Sequence, residues 1–258
     1  MNLPKGIFFD IDGVLQYQGK VYPGAIETIK FLHDQGVRLR FLTNSTLKSR
    51  ASCAEKLKRS GFQVSPEDVI TASSAAASYL RGIKPKSCWV MLEREGLDEF
   101  REFVWDTENP EWLVVGDNRS QFNFDVLNRA LGALKKGARL MGMQSDLIDS
   151  SMGSLELNVG SWVGMLERAA GVSAIYIGKP NATIFELGLQ SLGLEKEDVL
   201  MIGDRVSTDV EGANKFGIRS LLVKTGEFDA KDLGLGIRPD IICDSIQDIP
   251  RLFGINLV

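Results

Sequence analysis

Ile7-Phe8-Phe9-Asp10-Ile11-Asp12-Gly13-Val14-Leu15 is the stretch whose reading decides the fold. Its unbroken apolar start suits a strand buried on both faces, as in a parallel sheet. Two carboxylates then follow, Asp10 and Asp12, two positions apart, and after them a glycine. On a continuing strand the pair would point the same way, with Cα atoms about 6–7 Å apart. Like charges that close and poorly solvated repel, so a proton or a cation must settle between them. Oxygen-only ligands of this kind suit Mg²⁺, which takes one or two carboxylates and fills its octahedron with phosphate and water. The plainer alternative is a strand ending in a turn, with Asp12-Gly13 as turn residues.

Outward from this stretch, Pro23-Gly24 opens a helical pattern with Ile26, Ile29 and Phe31-Leu32 on its apolar side, and Gly36 stops it. A strand over 37–43 ends in Thr43-Asn44-Ser45-Thr46, a polar cluster able to cap the helix expected over 47–60. A short strand at 69–71 and an alanine- and serine-rich helix at 73–80 continue the rhythm. Strands alternating with helices imply right-handed crossovers and a parallel sheet. Residues 82–86, with Gly, Pro and two lysines, read as a linker. Strands then fall at 87–92, 112–116, 139–143 and 155–158, and helices at 97–104, 123–136 and 161–170. After a strand-like run at 174–178, strand and helix patterns alternate again to the C-terminus. The expectation is an α/β protein with a doubly wound parallel-sheet core, 1–81 and 177–258, and a smaller α/β domain, 82–176, inserted in it.

The chain has 258 residues, 44% hydrophobic and 25% charged, the composition of a globular protein with an adequate core. A net charge of −4 exerts no general pull toward nucleic acid or acidic membranes. No apolar run is long enough for a membrane span, and the N-terminus lacks a basic-then-apolar leader, so a cytoplasmic protein is expected. Cys53, Cys88 and Cys243, odd in number and far apart, read as reduced thiols. With His33 the sole histidine, on an amphipathic helix, histidine triads and His-rich zinc sites are disfavoured.

Ligands of open parallel sheets bind beyond the carboxyl ends of the strands, and the reactive residues of this chain collect at those ends. Asp10 and Asp12 end the first strand. Thr43 and Asn44 end the second, at a helix start whose free N–H groups favour an anion. Asp204 follows the apolar run 199–203, with Asp209 one turn further, and Lys179 in Gly178-Lys179-Pro180 precedes another helix. Carboxylates with Mg²⁺ and cationic donors suit phosphoryl transfer, where charge on the equatorial oxygens must be neutralised. An aspartate can itself be the nucleophile, and a second carboxylate nearby can carry the proton. Singly, Thr43 also reads as a helix cap, Lys179 as a solvated turn residue, Asp204-Arg205 as a turn and Asp209 as a helix-start carboxylate. Those readings leave unexplained why all arrive in this order at successive strand ends.

In this set the chain resembles the haloacid dehalogenase superfamily of phosphotransferases. The motifs are Asp10-Ile11-Asp12-Gly13-Val14-Leu15, Leu42-Thr43-Asn44, Gly178-Lys179-Pro180 and Gly203-Asp204-Arg205-Val206-Ser207-Thr208-Asp209. The long insertion resembles that of the class IIA group, which carries a large α/β cap. The resemblance implies a Mg²⁺-dependent phosphatase with Asp10 as nucleophile and Asp12 as general acid/base. It implies Thr43, Lys179 and the backbone of Asn44 at the phosphoryl oxygens. Mg²⁺ would lie on Asp10, Asp204 and the carbonyl of Asp12, with Asp209 in support.

In the cap, Asp146 matches the final aspartate of the Thr-Asn-Pro-Asp segment many class IIA members carry, while Gln144 and Ser145 depart from it. The run 153–171 looks closer to the branch containing phospholysine phosphohistidine inorganic pyrophosphate phosphatase. Asn118, Arg119, Gln144 and Asp146 are the candidate substrate contacts; Asp117, Asn118 and Arg119 read equally well as a loop capping the next helix. A large cap implies small phosphorylated substrates, and the resemblance implies a homodimer formed through it. Transfer to an acceptor other than water, as in a mutase, fits the same motifs. A non-catalytic binding role is disfavoured, because Asp10 and Asp12 are both present.

Overall fold

The computed structural model describes residues 2–149 and 154–254. Gly153, at the start of the run 153–171, lies outside the described residues. The contacts form two compact units, one of Met1–Thr43, Cys53–Ile70 and Lys179–Val258, the other of Asn44–Ser52 and Thr71–Gly178.

A six-stranded sheet runs in the order Ile241–Cys243, Arg219–Val223, Val199–Gly203, Gly6–Asp10, Arg38–Thr43, Val69–Thr71. Phe8 lies opposite Met201 on one side and Arg40 on the other, parallel in both cases. Strand order reverses at Gly6–Asp10, the arrangement that leaves a crevice beyond the carboxyl ends. Ile7, Phe8 and Phe9 are fully buried, which accounts for the unbroken apolar run. Ile7 and Phe9 join the core that includes Ile29 and Leu32 of the helix Ala25–Asp34. On the other face, Phe8 meets the helix Ala182–Leu192 at Gly188, where a Cβ would stand 2.8 Å from the ring. Full burial of each such side chain contributes roughly 1.5–3 kcal/mol.

The other unit has a four-stranded parallel sheet in the order Ile175–Tyr176, Arg139–Gly142, Trp112–Val115, Cys88–Met91. Helices Phe124–Lys135 and Val159–Ala170 bury Leu134 and Val163 against Leu113 and Val115.

Several elements depart from the sequence reading. The helix expected over 97–104 is a short 3₁₀ segment, Arg94–Phe100. A Cβ on its Gly96 would lie 2.0 Å from the Thr46 carbonyl, so close backbone approach governs this segment. Glu156–Leu157 pairs antiparallel with Ile148–Asp149, outside the four-stranded sheet. The loop after Leu15 contains a tight ribbon, Gln16–Tyr17 with Lys20–Val21. The helix Ala72–Ile83, expected in the core, groups with the second unit. Its Ser73 donates to the Lys48 carbonyl, Arg81 to Glu99 and Glu102, and Tyr79 stands edge-on to Trp112. Cys53, Cys88 and Cys243 are buried thiols outside any disulfide. Among the described residues, no helix is long and apolar enough to cross a membrane.

Candidate active site

Asp10 closes its strand with 7% of its surface exposed, and Asp204 follows the neighbouring strand Val199–Gly203 fully buried. A single π-helical turn, Val206–Val210, then brings Asp209 back toward that end, where its Oδ2 accepts from the Arg205 amide at 3.1 Å. Thr43, buried, is the last residue of Arg38–Thr43. Gly13 explains why the opening motif ends in glycine. Its φ is +97°, and a Cβ there would lie 2.0 Å from Asp204 Oδ2.

Lys179 follows the last residue of the inserted segment and is 2% exposed. Its Nζ lies 2.5 Å from Asp10 Oδ1, 2.7 Å from Asp209 Oδ1 and 3.3 Å from the Leu42 carbonyl. Three acceptors thus surround an ammonium with three N–H donors. The peptide between Lys179 and Pro180 is cis. A Cβ on the preceding Gly178 would stand 2.6 Å from Asn44 Oδ1, which fixes how Asn44 and Gly178 lie in their own unit.

The electrostatics follow from three buried carboxylates facing one lysine. Burial pushes Asp10 up to about 7, the negative charge of Asp209 adds to that, and Lys179 opposes it. Asp204 is raised well above the usual carboxylate range by burial first, then by Asp10 and Asp209. Burial acts to lower Lys179, but Asp10 and Asp209 outweigh it and the net shift is upward, so the lysine stays charged. Lys179 alone leaves negative charge in excess, which a divalent cation would offset.

Carboxylate oxygens of Asp10, Asp204 and Asp209 lie within 4.8 Å of one another. Asp204 Oδ2 accepts from the Glu227 amide at 2.7 Å, while its Oδ1 is buried with no hydrogen-bond partner. A buried, unpartnered anionic oxygen is costly. An all-oxygen donor set with surplus charge fits a hard divalent ion such as Mg²⁺.

Asp12 sits differently from the expectation. The strand stops at Asp10, so the two carboxylates do not share a strand face. Its side chain is 57% exposed, 3.9 Å from Lys56 Nζ, and accepts from Gln16 Nε2 at 3.3 Å. The carboxylate trio gathered in the fold contains Asp209, where the sequence reading has Asp12 as a ligand through its carbonyl.

In the second unit, Arg119 pairs with Asp117 at 2.7 Å and also with Asp149 and Glu156. Asn118 is 4% exposed, and its Oδ1 has no hydrogen-bond partner. Buried Gln144 donates to Asn158, the cap of helix Val159–Ala170, and accepts from the Asp146 amide at 2.7 Å. Residues absent from the sequence reading also touch the site: Thr225, Gly226 and Glu227, just beyond the strand Arg219–Val223. Reading that strand's carboxyl end by the rule applied to the others would have found them.

Residues 7–105 match the family described as haloacid dehalogenase-like hydrolase, and residues 176–249 match HAD-hydrolase-like. Haloacid dehalogenase-like hydrolase domain-containing protein 2 of Bos taurus is 32% identical over 93% of this chain and 92% of its own length. Phospholysine phosphohistidine inorganic pyrophosphate phosphatase of Bos taurus is 33% identical over 88% of this chain and 86% of its own. The solved structure of p-nitrophenyl phosphatase from Archaeoglobus fulgidus superposes with a TM-score of 0.90 at 28% identity, covering 97% of this chain and 99% of that one.

Proposed function

This chain belongs to the haloacid dehalogenase-like hydrolases, and from that premise we propose that it is a Mg²⁺-dependent phosphatase of small phosphorylated compounds working through an aspartyl-phosphate. The observation that carries the reading is Lys179 held between Asp10 and Asp209 while Asp204 Oδ1 stands buried and unpartnered. Relatives named as phosphatases support the reaction class.

In this reading Asp10, steadied by Lys179, attacks phosphorus. The bond from phosphorus to the leaving oxygen breaks, and Asp12 protonates that oxygen. Asp12 then takes a proton from water as the water attacks phosphorus, which releases phosphate and restores the Asp10 carboxylate. The exposure of Asp12 supports a proton-carrying role, since both the leaving oxygen and the attacking water must reach its carboxylate. The Thr43 hydroxyl and the Asn44 backbone hold phosphoryl oxygens. Asp10, Asp204 and the Asp12 carbonyl hold Mg²⁺, with Asp209 in support. When bound, the ion supplies positive charge against the carboxylates and the phosphoryl oxygens.

Asn118, Arg119, Gln144 and Asp146 set the preference among substrates. Ile148 and Leu157, 55% and 57% exposed on the ribbon of the second unit, support a homodimer through the cap. Three cysteines held as thiols, with no disulfide among them, fit a reducing cytoplasm.

Phosphate release from p-nitrophenyl phosphate tests the reading. Activity should appear with Mg²⁺, vanish with chelator and be lost in Asp10→Asn. Silence with Mg²⁺ across a broad panel of phosphate esters would remove the phosphatase reading, and turnover by Asp10→Asn would remove the covalent step.

A further inference from the structure

Beyond the carboxyl end of Arg219–Val223 lies a turn, Thr225-Gly226-Glu227, which bonds to three other segments. The Glu227 amide donates to Asp204 Oδ2 at 2.7 Å. Thr225 Oγ1 donates to the Gly13 carbonyl at 2.6 Å, immediately after the Asp12 position. The Gly226 amide donates to the Tyr22 hydroxyl at 3.0 Å, and Tyr22 directly follows the ribbon strand Lys20–Val21. Glu227 is held in turn by Arg205, with Nε 3.4 Å from its Oε2.

At the centre, Gly226 has φ +64°. A Cβ there would lie 2.2 Å from Asp204 Oδ2 and 2.3 Å from the Gly13 Cα. Only glycine lets one turn approach both the carboxylate and the loop after the nucleophile. The two oxygens of Asp204 are therefore unequal: Oδ2 is engaged by the Glu227 amide, and Oδ1 is buried without a partner.

We propose that Thr225-Gly226-Glu227 is a positioning turn for the metal site. It holds Asp204 so that Oδ1 is presented to the ion, and it ties that carboxylate to Gly13 and, through the Tyr22 hydroxyl, to the ribbon. The proposal rests on the reading of Asp204 as a Mg²⁺ ligand. Such outer partners orient ligands, and their loss typically lowers metal affinity about 10–100-fold. None of the three residues touches the reacting atoms, so their effect is on the metal and not on the bond-making step.

The experiment measures Mn²⁺ binding to the full-length protein by electron paramagnetic resonance, without substrate. Thr225→Val keeps the shape and removes the donor, and should weaken Mn²⁺ binding about 10-fold or more. Thr225→Ser should restore wild-type binding, and Tyr22→Phe should weaken it by a smaller factor. At saturating Mg²⁺ the KM for p-nitrophenyl phosphate should stay at the wild-type value in all three variants. Wild-type Mn²⁺ affinity in both Thr225→Val and Tyr22→Phe, with binding lost in Asp204→Asn, would overturn the positioning turn and leave the metal site standing. Undiminished binding in Asp204→Asn would overturn the metal reading, and the turn's role with it.

Discussion

Metal-free protein should lose stability as pH rises from 5 to 8, and Asp10→Asn should remove the part of that loss that Asp10 carries, Asp204 carrying a further part. Burial and the neighbouring carboxylates raise Asp10 to about 7 in the fold, against 3.8 for an ordinary aspartate. Between those values the native protein retains a proton that the unfolded chain has already released. Stability therefore falls by about 1.4 kcal/mol per pH unit in that window. The contribution is full below the unfolded value, declines up to about 7 and is flat above it. Across pH 5 to 8 this predicts a loss of roughly 3 kcal/mol from Asp10. Urea unfolding in chelator, followed by tryptophan fluorescence at several pH values, measures it. Mg²⁺ should act in the opposite sense, stabilising more at pH 8 than at pH 5, because it binds the deprotonated carboxylates. Parallel pH curves for wild type and Asp10→Asn would refute the reasoning, since Asp10 would then titrate alike in the folded and unfolded chains.

Lys179→Met should destabilise the protein by about 3–5 kcal/mol at neutral pH in chelator, because two buried carboxylates lose their cation; urea midpoints give the value. Gly13→Ala should abolish Mn²⁺ binding by displacing Asp204, with strain of about 1–3 kcal/mol at a positive φ; wild-type binding would show that the loop yields freely. Substitutions at Asn118 and Gln144 should change relative rates across a panel containing p-nitrophenyl phosphate, pyrophosphate and phospholysine. Rates that fall in common proportion would remove these side chains from the specificity set.

The doubly wound core was legible because its strands are buried on both faces. Runs such as Ile7-Phe8-Phe9 and 199–203 have no polar face and so must lie between helices. The carboxylates at their ends stand out for the same reason: Asp10 and Asp204, closing such runs, have no solvated face to explain them. Patterns weakened where a backbone contact overrode periodicity. Gly96 against the Thr46 carbonyl holds a helical-looking run in a 3₁₀ segment. Ala72–Ile83, small-residue rich on all sides, carries no pattern that says which unit it joins; Tyr79 and Arg81 make that choice.

For Asp10 and its neighbours the division is similar. Sequence by itself determined that carboxylates, a hydroxyl and a lysine end successive strands, because strand ends follow from apolar runs and their breaks. Only tertiary structure decided that Lys179 bridges Asp10 and Asp209, that the strand stops before Asp12, and that Thr225-Gly226-Glu227 grips Asp204. Those features depend on how far a strand runs before it turns and on which turn faces which across the sheet. Both are set by packing between segments far apart in the chain, which no local pattern encodes.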